Sequence, residues 1–139
     1  MLRFAVILAL SIAGCAESGG VDHSSPAPAT HQLDVNGIVH AISFPAWFPE
    51  DQIGAAMSEI YVKTQPLPVP YHFTVREPAF PAYIGGGKTI LARGTHRAGV
   101  IEIGIRFRKC EGDDEWFPAL DHEVGHALYG PCFEHPECN

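Results

Sequence analysis

The stretch Leu120-Asp121-His122-Glu123-Val124-Gly125-His126-Ala127-Leu128-Tyr129-Gly130 decides how the rest of this 139-residue chain is read. It contains H-E-x-x-H, and its surroundings predict a helix. Leu120, Val124, Ala127 and Leu128 recur at helical spacing and make one apolar face. Pro118 suits a first turn, where its missing N–H has no helical partner to lose. Asp113, Asp114 and Glu115 lie just before or at the start, where negative charge favours the helix dipole. Gly130-Pro131 is the stop signal. On that helix His122 and His126 share a face, with Cβ atoms roughly 5–6 Å apart. Two imidazoles so placed can each bring a nitrogen to about 2.0–2.1 Å from one Zn²⁺. Glu123 then stands where it can take a proton from a water at the metal. The bland alternative is an amphipathic helix whose histidines are simply solvated or hydrogen-bonded.

A catalytic zinc takes three protein ligands and keeps one position open. Only 13 residues follow His126, so the third ligand is expected from a short tail. His135 leads, because imidazole suits zinc and the tail has no core periodicity that would otherwise employ it. Glu134, Glu137, Cys132 and Cys138 compete with it.

The elements upstream predict a small sheet with helices. Leu33–Val35 and Ile38–Ile42 flank Asn36-Gly37, a dipeptide that favours a two-residue hairpin turn. Pro49 fits the first position of a helix whose buried stripe is Ile53, Ala56, Met57 and Ile60. Pro66, Pro68 and Pro70 end it. Tyr71, Phe73 and Val75 alternate with polar residues as in a half-exposed strand. Gly99 to Lys109 is the clearest strand: Ile101, Ile103, Ile105 and Phe107 point one way, Glu102, Gly104, Arg106 and Arg108 the other. Arg106 and Arg108 read as solvated charges. Were this strand at the edge of the cleft, it could instead pair with an extended substrate backbone. Gly85-Gly86-Gly87-Lys88-Thr89 resembles a phosphate loop only superficially, because Ala82 stands where the first Gly belongs. Those glycines are expected in a mobile loop, with Lys88–Leu91 as strand.

The N-terminus reads as a targeting segment. Met1-Leu2-Arg3 is a short positive region and Phe4 to Ala13 an apolar run too short to span a bilayer. Ile12-Ala13-Gly14-Cys15 follows and resembles the bacterial lipobox, in which cleavage precedes the Cys and its thiol carries lipid. That resemblance implies a signal peptide over 1–14, lipidation at Cys15 and attachment to the cell envelope. Ala16 after the Cys is similar to lipoproteins sorted to the periplasmic face of the outer membrane. Residues 16–30, small, polar and rich in Pro and Gly, read as a flexible tether. That leaves 31–139 as one domain.

His122 to Gly130 resembles the active-site helix of the zincin metallopeptidases, and its Gly-His-Ala-Leu wording is closest to matrixin-like metzincins. The resemblance implies an α+β, zincin-like single domain: a small twisted mixed β-sheet, an N-terminal helix and the HExxH helix. It implies His122 and His126 as zinc ligands, Glu123 as general base and a peptide or protein substrate. The metzincin pattern would place Gly at 129 and His at 132, where this chain has Tyr129 and Cys132. Gly130 and His135 match through a longer turn, and the family's Met-containing turn has no counterpart before Asn139. His96, Arg97 and Tyr129 are candidates for stabilising the oxyanion.

With Cys15 set aside, Cys110, Cys132 and Cys138 are an odd set in an oxidising compartment. A Cys110–Cys132 or Cys132–Cys138 bridge would hold His135 near the helix, and the leftover Cys is either free or a ligand. A formal charge of −7 disfavours nucleic acid. The function expected is that of an envelope-anchored zinc peptidase, with a non-catalytic zinc-binding or structural lipoprotein as the alternative.

Overall fold

The computed structural model describes residues 16–17, 29–106, 108–109 and 115–136. The expectations for the signal peptide and Cys15 lie outside these, as do those for Cys110, Asp113, Asp114, Glu137 and Cys138.

The chain forms a small mixed α+β domain. In order it runs β1 (Ala16–Glu17), β2 (Ala29–Val35), β3 (Ile38–Phe44), a 3₁₀ turn at Glu50–Gln52 and α1 (Ile53–Lys63). Then come β4 (His72–Arg76), β5 (Phe80–Gly85), β6 (Lys88–Ala92), β7 (Gly94–Arg97), β8 (Val100–Gly104), β9 (Arg108–Lys109) and α2 (Leu120–Tyr129). Five strands make the main sheet in the order β2-β3-β4-β8-β7. β3, β4 and β8 run parallel, and β2 and β7 close the two edges antiparallel. β5 and β6 form a separate ribbon, and β1 pairs with β9.

The Asn36-Gly37 hairpin forms as its sequence predicts. Both residues have positive φ, 54° and 86°, as a type I′ turn requires. Parallel pairing of β3 with β4 needs a crossover, and α1 supplies it. Ala56 and Ile60 are buried, with Ile53 and Met57 packed beside them, which is the stripe the periodicity picks out. Both helices cover one face of the sheet. Ile42, Phe44, Phe73, Val75, Ile101 and Ile103 from the strands meet Leu120 and Val124 from α2 in a single core. The opposite face is polar: Thr95 and Arg76 both bond the Glu102 carboxylate, and Ser43 bonds His72.

Several expectations are corrected. The strand expected over Gly99–Lys109 leaves the main sheet after Gly104, because pairing with β4 ends at Arg76. It lies inside the sheet, between β4 and β7, so among the described residues the edge strand bordering the cleft is β7. Arg106 is not simply solvated: its Nε donates to the Glu115 carbonyl at 3.0 Å and it pairs with the Glu115 carboxylate. Glu115 does not serve the α2 dipole but pairs with Lys63 at 3.0 Å. The glycines before Lys88 form no loop. Gly86 and Gly87, at φ 59° and 73°, make the tight turn between β5 and β6. Pro49 precedes the 3₁₀ turn rather than opening α1, and Pro118 lies before α2, which begins at Leu120. Of the stretch expected as a tether, Ala16–Glu17 pair with β9 and Ala29–Thr30 begin β2, while 18–28 lie outside the described residues.

His40, on β3, is fully buried. Its Nδ1 accepts from the Tyr71 N–H at 3.0 Å, which holds it neutral, and burial lowers its pKa below the ordinary 6.5. A histidine with a depressed folded pKa contributes stability above the unfolded value and loses it as pH falls. The metal-free protein, unfolded by urea in chelator, is therefore expected to weaken from pH 7 towards 5. His40→Asn, which keeps an acceptor, should flatten that slope by up to one proton, about 1.4 kcal/mol per pH unit. An unchanged slope would show that His40 does not carry it.

Candidate metal centre

α2 is aimed at the cleft by contacts made before it begins. The Glu59 carboxylate, on α1, accepts from the Trp116 and Phe117 N–H groups at 2.6 and 2.7 Å. Phe117 and Leu120 then anchor the helix start in the core. Its other face carries His122 and His126, one turn apart.

The helix ends at Gly130, whose φ of 96° turns the tail back. Pro131–Glu134 make a turn in which Phe133 N–H bonds Gly130 O and His135 N–H bonds Cys132 O. His135 thereby reaches the two helix histidines. The three rings each offer a ligand atom, all within 4.8 Å of one another. Nε2 of His126 lies 3.0 Å from Nε2 of His122 and 3.1 Å from Nε2 of His135. Nitrogens sharing a tetrahedral zinc at about 2.0–2.1 Å would stand roughly 3.3 Å apart, close to this spacing.

The outer nitrogens settle which atoms face the centre. His126 Nδ1 lies 3.0 Å from the Gly130 carbonyl, which can only accept. His122 Nδ1 lies 3.0 Å from the Glu134 carboxylate. Both Nδ1 atoms therefore carry hydrogen, which leaves Nε2 of each ring facing the other. Two Nε2 atoms at 3.0 Å are held by a proton shared between them or by a cation bound to both. A partner on the second nitrogen that fixes tautomer and ring orientation is the usual support of a metal-bound histidine. The donor set fits a metal ion.

Glu123 is buried at 5% exposure and lines the same cleft as the three histidines. Burial raises its pKa above the ordinary carboxylate value, opposed by the charges of His122, His126 and His135. It has room because β7 begins with a glycine: a Cβ on Gly94 would stand 2.7 Å from both Cγ and Oε1 of Glu123. The cleft is about 300 Å³ and is also lined by Thr95, His96 and Arg97 of β7.

Of the oxyanion candidates, the fold brings His96 and Arg97 to the cleft and leaves Tyr129 out. The His96 ring stacks near His126 at 6.4 Å, its buried Nε2 has no hydrogen-bond partner among the described residues, and burial, then His126, lowers its pKa. Arg97 donates to the Tyr83 carbonyl at 2.8 Å. Tyr129 is 73% exposed and stacks on Phe133. Among the rival third ligands, Cys132 is engaged in a disulfide, its partner lying outside the described residues, and Glu134 supports His122 from behind.

Sequence reasoning missed Phe133. Its ring packs 6.0 Å from both His122 and His126 and 5.4 Å from Tyr129, forming an apolar floor under the ligand rings. It lies so tightly on Gly125 that a Cβ there would overlap the ring. A glycine inside a helix costs about 1 kcal/mol against alanine and so signals a packing reason; Gly125 carried that signal, but nothing in the sequence pointed to Phe133. No protein-family model, curated protein or solved structure matches the chain.

Proposed function

We propose that this protein is a zinc-dependent peptidase of zincin-like fold. In this reading His122, His126 and His135 hold the ion and Glu123 is the general base. The observation that carries it is the convergence of three Nε2 atoms beside a buried carboxylate in one open cleft. Three imidazoles with a position left open are a ligand set of catalytic zinc. Zinc bound there supplies Lewis acidity, polarising a carbonyl and acidifying water.

The chain's own groups supply the rest. Glu123, with its proton affinity raised by burial, accepts a proton from water and returns it to the leaving amine. β7 is an edge strand bordering the cleft, so its open side can pair with an extended peptide backbone. The order of strands followed by the HExxH helix agrees with the zincin-like reading. The lipobox-like Ile12–Cys15 supports a lipid-anchored place in the cell envelope.

The purified protein is expected to hold one zinc per chain by elemental analysis, and His126→Ala to lose it. A broad peptide library should be cleaved in a chelator-sensitive, zinc-restored manner. Stoichiometric zinc with no cleavage would replace this reading with that of a zinc-binding envelope protein; no zinc retained would remove both.

A further inference from the structure

The ribbon of β5 and β6 has two faces, and only one of them packs on the rest of the fold. Cross-strand pairing puts Phe80 with Ala92 and Ala82 with Ile90 on one side. Phe80, Ala82 and Ala92 are buried there as a small cluster. Pro81 with Leu91, and Tyr83 with Thr89, share the other side. All four are exposed, Leu91 at 75% and Tyr83 at 57%. None of them belongs to either buried cluster. A two-stranded ribbon is marginal in water by itself. This one is held by its inner face and by Arg97, which donates to the Tyr83 carbonyl at 2.8 Å.

Charge sets this segment apart from the rest of the chain. Residues 78–101 hold three of the nine Lys and Arg residues and none of the sixteen Asp and Glu. The three are Lys88 at the turn, Arg93 just after β6 and Arg97 at the end of β7, all exposed. None forms an ion pair among the described residues, whereas Lys63, Arg76 and Arg106 are each paired with a glutamate. An exposed apolar patch rimmed by polar groups marks a protein or membrane contact. A symmetric contact between two copies would set these cations against each other. An anionic bilayer complements both the apolar face and its rim.

We propose that the outer face of the ribbon docks on an anionic phospholipid surface. Leu91 and Tyr83 enter the boundary between headgroups and acyl chains, and Lys88, Arg93 and Arg97 meet the phosphates. Tyrosine suits that boundary, with an apolar ring and a polar tip. A lysine stem can lie along apolar surface while its ammonium stays among the headgroups. Each cation near such a surface contributes about fivefold in affinity, and Leu91 contributes by leaving water. The inference uses the envelope reading only for a bilayer close at hand, and it stands apart from the peptidase reading. Tyr83 also lines the cleft, so a ribbon seated on the bilayer holds the three histidines at the membrane surface.

The test reads the ribbon itself, so it depends neither on turnover nor on how the N-terminus is held. Full-length protein carrying Leu91→Trp is mixed with vesicles of phosphatidylethanolamine and phosphatidylglycerol, or of phosphatidylcholine alone, all with brominated acyl chains. The added emission is taken as the difference from the parent protein, which contributes Trp47 and Trp116. It is expected to shift to the blue and to be quenched on the anionic vesicles, and far less on the neutral ones. Lys88→Glu in the same chain reverses a charge, should weaken docking by about tenfold or more, and should remove most of the quenching. Hydrogen exchange of the unsubstituted protein, slowed over residues 80–92 by the anionic vesicles alone, gives the same answer without the tryptophan. No quenching, equal quenching on both vesicles, or quenching indifferent to Lys88→Glu would overturn the proposal. Self-association without lipid, lost in Leu91→Asp, would overturn it too by giving the face to a second copy of the chain.

Discussion

Glu123→Gln is expected to lower peptide hydrolysis by roughly 10²–10⁴-fold, the usual range for loss of a general acid–base group. Zinc should remain at one equivalent per chain. The two expectations separate because Glu123 is outside the ligand triad, which comprises His122, His126 and His135. Glutamine keeps the volume of the side chain, so the pocket that Gly94 opens beside it should stay filled. What changes is proton affinity: a carboxamide cannot take a proton from water at neutral pH. Burial already raises the Glu123 pKa, moving the carboxylate towards the range where a base is most effective. The measurement is kcat/KM on a cleaved library peptide, with metal content determined on the same sample. Undiminished turnover in the variant would remove Glu123 from the chemistry. Loss of zinc together with activity would assign it a structural part instead.

Gly125→Ala is expected to weaken zinc binding by at least the 10–100-fold typical of disturbing a ligand's support. In an ordinary helix this exchange stabilises by about 0.5–1 kcal/mol, so a loss must come from contact. The contact is the Phe133 ring, which the added Cβ would overlap. If the ring is expelled, the Gly130–His135 turn that carries the third ligand moves with it. Gly125 is on the helix interior and Phe133 on the tail, so the two changes should be strongly non-additive. Gly125→Ala with Phe133→Ala, which removes the clash, should recover zinc affinity relative to Gly125→Ala alone. Zinc affinity is read by competition with a chromogenic chelator, and helix content by circular dichroism. An alanine variant that binds zinc normally would show that the Phe133 floor is not what holds His135 in place.

The sequence by itself determined the elements whose reasons are local. Asn36-Gly37 specified its hairpin because few dipeptides accept two positive φ values in succession. The stripe at Ala56 and Ile60 specified α1, and the spacing of His122, Glu123 and His126 placed two imidazoles on one helix face before any fold was known. Those are matters of backbone geometry over a few residues. It also ranked His135 first among the third ligands, from chemistry rather than position.

What only the tertiary structure decided depends on residues distant in sequence meeting in space. Alternation over Gly99–Lys109 shows that one side of a strand is buried, but not which neighbours it has; pairing made β8 an interior strand and left β7 as the edge strand beside the cleft. Gly94 acquires its role only because α2 lies across it, and Ala82 and Ala92 are buried only because the ribbon folds over the cleft. Phe133 became the floor of the site because the chain reverses at Gly130, where a left-handed backbone turns the tail onto Gly125. Local propensities name the pieces, but a close contact between side chains from different elements exists only after the sheet, both helices and the tail have packed.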